Sequence, residues 1–183
     1  MLELHAWDDA RDFIARIRPG GALDLGSAAD NLSAELAALL SVKLSRSREL
    51  GIAMTVEAEG VAPADQSDDL VTVVGNLVDN AFDACRAGDQ LVVSVRTTPE
   101  AVTVVVDDSG PGVAAELSER VFDEGVSTND LTARTRGVGL ALVRRVARRR
   151  TGDVALSRSP LGGARFTVQM PNGTRVSNEE PVS

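Results

Sequence analysis

With 183 residues, 43% of them hydrophobic and 25% charged, the chain is long enough for one real core plus an appendage. A formal net charge of −8 argues against a nucleic-acid binder, which needs a basic surface to neutralise phosphates. One cysteine leaves no internal disulfide and fits a reducing cytosol, and neither a membrane-length apolar run nor a signal peptide is evident, so a soluble, cytoplasmic piece is expected.

From Leu2 to Ile17 the apolar residues Leu4, Trp7, Phe13, Ile14 and Ile17 have helical spacing, and Pro19-Gly20-Gly21 ends the run. A second helical pattern covers about residues 29–50, with Leu32, Leu36, Leu39, Leu40, Val42 and Leu44 on one broad face and Gly51 as a stop. Two amphipathic helices without a sheet need each other or a partner. Ile52 to Glu57 alternates as a strand and opens a sheet, and a polar link from Glu59 to Asp69 follows, with Ser67 or Asp68 as the expected cap of the next helix.

That helix, Leu70 to Cys85, is apolar around most of its circumference. Winding it at 100° per residue puts Asn76, Asp79, Asn80 and Asp83 within an arc of roughly 100°. A solvated stripe is the bland reading, but such stripes favour Lys, Glu and Arg, whereas Asn and Asp are poor helix formers. An Asn80 oxygen suits the octahedral shell of Mg²⁺. Cys85 reads as buried packing.

Leu91 to Thr97 and Ala101 to Asp107 form an expected hairpin across Thr98-Pro99-Glu100. The second strand delivers Asp108-Ser109-Gly110-Pro111-Gly112. Gly110 and Gly112 lack a Cβ that would hold a flat base away, and the Asp108 carboxylate can accept a hydrogen bond from an exocyclic amine such as adenine's. It would therefore choose ATP over GTP. A short helix is expected from Ala114 to Val121, then a polar cover from Asp123 to Arg136, pinned at its base by Phe122 and offering Ser127, Thr128, Arg134 and Arg136 to phosphates. The turn Arg136-Gly137-Val138-Gly139-Leu140 opens the next helix, whose unpaired amides would face a triphosphate. Val154 to Arg158 and Arg165 to Met170 make a closing hairpin, and Asn172 to Ser183 a frayed tail. The sum is an α+β chain, a two-layer α/β sandwich with a mixed sheet.

Four of these stretches resemble, in order, the motifs of the GHKL superfamily: Asn76-Leu77-Val78-Asp79-Asn80-Ala81 its N box, Asp108 to Gly112 its G1 box, Val121 to Gly125 its F box, and Arg136 to Leu142 its G2 box. The likeness spans about residues 68–170 and is strongest to sensor histidine kinases of the citrate and dicarboxylate sensing type. It implies a Bergerat-type ATP-binding fold over residues 51–171. Residues 1–50 would be a helical remnant of the dimerisation hairpin and 172–183 a tail. It also implies ATP and Mg²⁺ as cofactors, with Asn80 on the metal, Asn76 at the phosphate end, Asp108 on adenine, and Gly137 and Gly139 at the phosphates.

By the same resemblance the partners are a response regulator and the protein's own acceptor-histidine helix, in a homodimer whose full-length form is membrane-anchored. His5, the one histidine, is followed by Ala6-Trp7 rather than by the acidic residue of the family's acceptor, so the acceptor is expected outside this chain. In the GHKL ATPases the position of Asn76 holds a glutamate that activates water; an amide cannot take that proton, which favours transfer to a protein. An ATPase, a protein-serine kinase and a non-catalytic adaptor are the alternatives.

Overall fold

The structure, a computed structural model, describes residues 25–113 and 133–173, and of residues 133–138 the backbone only. A 3₁₀ turn, Gly26–Asn31, precedes helix α1, Ala34–Glu49. Strand β1, Ala53–Glu59, is followed by a 3₁₀ turn at Ala64–Gln66, helix α2 at Ser67–Ala84, and strands β2, Gln90–Thr97, and β3, Ala101–Asp108. Helix α3, Ala133–Arg149, and strands β4, Asp153–Arg158, and β5, Ala164–Pro171, complete the described chain.

The sheet runs β1-β2-β3-β5-β4. Only β1 and β2 are parallel, and α2 makes the crossover that a parallel pair requires. Both expected hairpins form. Between β2 and β3, the Thr98 hydroxyl accepts from the Glu100 and Ala101 amides, each at 3.3 Å. Strand alternation then sorts the valines: Val102, Val104 and Val106 of β3, Leu91, Val93 and Val95 of β2, and Phe166, Val168 and Met170 of β5 are buried in one core with the helices. Leu70, Val73, Val74, Leu77, Val78 and Ala81 of α2 fill the other side. The expected two-layer sandwich with a mixed sheet is what the chain adopts.

Three expectations change. The helix read over 29–50 is broken, because Ser33 is extended and accepts from Leu36 N at 3.3 Å as an N-cap, so α1 starts at Ala34. Its apolar face is covered by the domain itself: Leu36 and Leu40 belong to the same buried cluster as α2 and the sheet, so packing runs on across residue 50. Val42, turned well away from Leu36 and Leu40 on the helix, is 66% exposed. Neither Ser67 nor Asp68 caps α2. Gln66 holds the cap position without a side-chain bond, while the Ser67 hydroxyl pairs with Ser33 Oγ at 2.8 Å and donates to Glu35 Oε2 at 3.1 Å.

The third change concerns α3. It begins at Ala133, a turn before the glycines, so Gly137 and Gly139 lie inside a helix rather than at its entry. The four amides left unpaired by such a start belong to residues 133–136, not to Gly137 through Leu140. The helix at 2–17 with His5, the short helix at 114–121 and the tail from residue 174 lie outside the described residues.

Candidate functional site

Two consecutive aspartates end β3 and point to opposite faces of the sheet. Asp107 lies on the outer face, where Arg165, its register partner on β5, donates to both its oxygens, Nε at 2.8 Å and Nη2 at 2.7 Å. Asp108 faces the helices and is 2% exposed. Its Oδ1 accepts from Gly110 N at 2.9 Å and Ala164 N at 3.1 Å, and Gly163 N donates to its main-chain oxygen at 3.1 Å. Among the described residues, nothing donates to Oδ2, which leaves an acceptor for an incoming amine. Burial, reinforced by the charges of Asp107 and Asp89 and opposed by the Ala164 and Gly110 amides, raises the Asp108 carboxyl above its ordinary value of 3.8.

The glycines around Asp108 are set by contact. Gly112 has φ +75°, and a Cβ on Gly110 would lie 3.3 Å from the Ala84 carbonyl oxygen. That second contact places the last turn of α2 against the turn after β3. Cys85, the residue after that helix, sits there too: burial pushes its thiol up to about 11, helped by the charges of Asp108 and Asp89. It is neutral and half-buried beside the Asp108 turn.

Asn80 stands four residues before Ala84 on α2, and Asn76 four before that, so the three mark about 12 Å along one helix flank. At the far end Asn76 meets α3: a Cβ on Gly139 would lie 2.9 Å from Asn76 Oδ1, whose amide nitrogen donates to Thr72 O at 2.7 Å. The Gly110 turn at Ala84 and Gly139 at Asn76 thus meet the same helix about two turns apart, with Asn80 between them in the chain. Asn80 is half-buried and, among the described residues, makes no side-chain hydrogen bond.

The stripe is not uniform. Asp79 lies about 60° around the helix from Asn76. It is turned to α1, where Lys43 Nζ holds it at 2.5 Å. Asp83 is exposed on the same stripe. Val138, Gly137 and Leu140 lie within α3; Leu140 is buried in the core, so only its backbone was ever available. Phe122, Ser127 and Thr128 lie outside the described residues, as do the side chains of Arg134 and Arg136.

A cavity of about 510 Å³ opens on the other side of the Asp108 turn, bounded by Gly112, Val113, Leu156, Arg158 and Gly163. It is not lined by the asparagines of α2. The residues that sequence alone did not offer are Lys43, Cys85 and the amides of Gly163 and Ala164. Backbone donors from a strand 56 residues away leave no side-chain signature to read.

With that geometry in view, similarity to known proteins can be placed on it. A family model of histidine kinase-, DNA gyrase B- and HSP90-like ATPases matches residues 65–174, the stretch from the start of α2 past the end of β5. The sensor protein CitS of Halalkalibacterium halodurans is 35% identical over 144 residues, covering 74% of this chain and 26% of the relative. The sensor histidine kinase DcuS of Escherichia coli K12 is 30% identical over 178 residues, covering 93% of this chain and 32% of the relative. The chain thus spans about a quarter to a third of the curated relatives it matches. Among solved structures, the nucleotide-free catalytic domain of histidine kinase ThkA superposes with a TM-score of 0.64 at 22% identity, over 77% of this chain and 92% of that one, a likeness of fold.

Proposed function

Since the chain belongs to the family of histidine kinase-, DNA gyrase B- and HSP90-like ATPases, we propose that it is the ATP-binding catalytic part of a two-component sensor histidine kinase, which moves the γ-phosphoryl group of ATP to a histidine, not His5, on a separate acceptor helix. The observation that carries this reading is the state of Asp108, a buried carboxylate with one oxygen fixed by two backbone amides and the other left for a donor. Adenine supplies a donor there. Guanine would bring a carbonyl oxygen against an anion.

Along α2, Asn80 is the residue that would hold Mg²⁺. The fit rests on its half-buried amide, which no described residue engages. Among the described residues no group of three or more His, Cys, Asp or Glu side chains is spaced to hold a metal unaided, so the cation would depend on the nucleotide's own oxygens beside Asn80. When bound, it neutralises charge on the phosphate oxygens. Asn76, anchored to Thr72 O, presents its amide oxygen toward Gly139 and fixes the spacing between α2 and α3 at the phosphate end. Arg136 and the amides from Gly137 to Leu140 are the chain's donors for the outer phosphates. Because α3 starts at Ala133, those amides come free when its first turn opens, a change that two helix-interior glycines make easy. Catalysis then amounts to placing the terminal phosphorus in line with an imidazole nitrogen.

An amide at position 76 cannot abstract a proton from water, so transfer is favoured over hydrolysis. The partners that follow are the acceptor-histidine helix of a longer, dimeric, membrane-anchored protein and a response regulator, with this part on the cytoplasmic side. No helix among the described residues is long and apolar enough to cross a membrane. The test supplies an acceptor-helix fragment of a sensor kinase with labelled ATP and Mg²⁺ and looks for acid-labile, base-stable phosphate on it. Steady release of inorganic phosphate without any labelled acceptor would replace the kinase reading with that of an ATPase.

A further inference from the structure

We infer that Lys43 is a positioning residue of the nucleotide site: it neutralises Asp79, so that a polyphosphate can lie along a helix flank that would otherwise repel it. The inference rests on the ATP-binding reading above and extends it to a residue outside all four sequence motifs.

Lys43 is the only lysine of the chain; every other basic residue is arginine. It sits on α1 with its side chain 15% exposed, reaching across to α2 to place Nζ 2.5 Å from Asp79 Oδ1. Asp79 immediately precedes Asn80 and follows Asn76 by three residues, and Asp83 adds a second carboxylate to the same stripe. A triphosphate approaching Asn76 and Asn80 therefore meets the charge of Asp79 in full unless that carboxylate is compensated. A compact ammonium on a flexible stem fits between packed helices where a planar guanidinium demands a fork of acceptors. α1 is held in place for this by Leu36 and Leu40 in the common core, and a side chain at Gly75 on α2 would already touch Leu39 at 3.6 Å. The helix that carries Lys43 is thus seated directly against the one that carries the stripe.

The role is electrostatic, so it must scale with the charge of the ligand. Calorimetric titration of the whole chain with ATP, ADP and adenosine, each with Mg²⁺, tests it on the wild type and on Lys43→Met, Lys43→Arg, Asp79→Asn and the double variant Lys43→Met/Asp79→Asn. Lys43→Met is expected to weaken ATP about fivefold, ADP less, and adenosine not at all. Lys43→Arg should stay near wild type. Asp79→Asn alone should match or exceed wild-type affinity for ATP, and in the double variant it should restore what Lys43→Met lost. Equal weakening for ATP and adenosine would mean that Lys43 only supports the fold, and the inference would be overturned; so would a double variant as weak as Lys43→Met. If the wild-type chain takes up no ATP at all, the ATP-binding reading falls and takes this one with it.

Discussion

Gly163 stands against Asp108 with no room for a side chain: a Cβ there would lie 2.6 Å from the main-chain oxygen of Asp108 and 2.7 Å from the amide nitrogen of Gly110. Gly163 and the first residue of β5 thereby grip Asp108 through backbone alone, Gly163 N on its carbonyl and Ala164 N on its side chain.

Gly163→Ala must push the start of β5 away from the end of β3, because a Cβ would also collide with Asp108 Oδ1, and the other two colliding atoms are backbone. We expect a loss of about 1–3 kcal/mol in stability, the usual range for overpacking. ATP affinity should fall further than stability alone explains, since Ala164 N withdraws from Asp108. Gly162→Ala, where a Cβ meets nothing within 4 Å but φ is +106°, is the comparison, because it carries backbone strain without the collision. Urea unfolding and ATP titration of both variants check this; an unchanged ATP affinity in Gly163→Ala would show that the clamp is not needed.

Asp108 also sets a pH dependence. Its folded-state pKa is raised, chiefly by burial, so the folded chain keeps this proton longer than the unfolded chain does. The stability contributed by protonation is fully present below the unfolded value and is lost as pH rises through the folded pKa. ATP binding is expected to run the other way, because the carboxylate is a stronger acceptor for adenine's amine than the protonated acid. Asp108→Asn keeps the oxygen that Gly110 and Ala164 address and carries no charge to bury. We expect its stability at neutral pH to equal or exceed wild type, with a flatter acidic slope, while ATP affinity drops about 10- to 100-fold, the loss of a hydrogen bond to a charged group. Unfolding and titration across an acidic-to-neutral pH series would show both effects. Loss of stability at neutral pH would contradict the burial argument.

The sheet was legible because apolar residues alternate or run on with strand period in β2, β3 and β5, and α2 because its four polar residues collapse onto one arc of the wheel. Asp108, Asn76 and Asn80 stood out for chemistry at a strand end or for poor helix propensity on a helix face. What escaped was tertiary. The cover of α1 by the sheet and α2 is a fact about docking, and Leu36 and Leu40 read equally well as an interface. Asp79 sits on the same arc as Asn76, and nothing in the local pattern announces the ion pair that Lys43 brings to it from another helix. The start of α3 was missed because Gly-x-Gly reads locally as a tight turn at a helix entry, while the helix from Ala133 runs through it.

Arg150 is fully buried where the end of α3 meets the start of α2. Its Nε donates to Asp69 Oδ2 at 2.7 Å, Nη1 to Asp65 Oδ2 at 2.5 Å, and Nη2 to the Asp65 carbonyl. Asp69 is itself buried and takes a second bond from Arg149 at 2.9 Å, whereas Asp65 is 62% exposed and can return to water. Arg150→Met keeps the volume and leaves Asp69 short of a counter-charge, so a loss of about 3 kcal/mol is expected. Adding Asp69→Leu should recover most of it, since a buried pair exchanged for apolar groups is often near neutral. Denaturant unfolding of the single and double variants decides, and a double variant no better than Arg150→Met would mean that the guanidinium matters for its bond to the Asp65 carbonyl rather than for charge.

Thr151 closes α3 in a conformation meant for glycine. Its amide donates to Arg148 O and that of Gly152 to Ala147 O, both at 2.9 Å, the paired bonds of a Schellman stop, and its φ is +55°. A β-branched residue is strained there, by roughly 1–2 kcal/mol, and the Thr151 side chain is exposed, so it recovers little by packing. Its hydroxyl reaches only the neighbouring Arg150 carbonyl, at 2.6 Å. Thr151→Gly removes the strain but adds freedom to the unfolded chain, which leaves a net gain of about 0.5–1 kcal/mol. That corresponds to a rise in thermal midpoint of about 1–4 °C for a domain of this size. Asn, which tolerates the left-handed region better than Thr, should fall between the two. ATP affinity should not move, because this turn lies at the opposite end of α3 from Gly139. A midpoint lowered by Thr151→Gly would show that the hydroxyl bond outweighs the backbone strain.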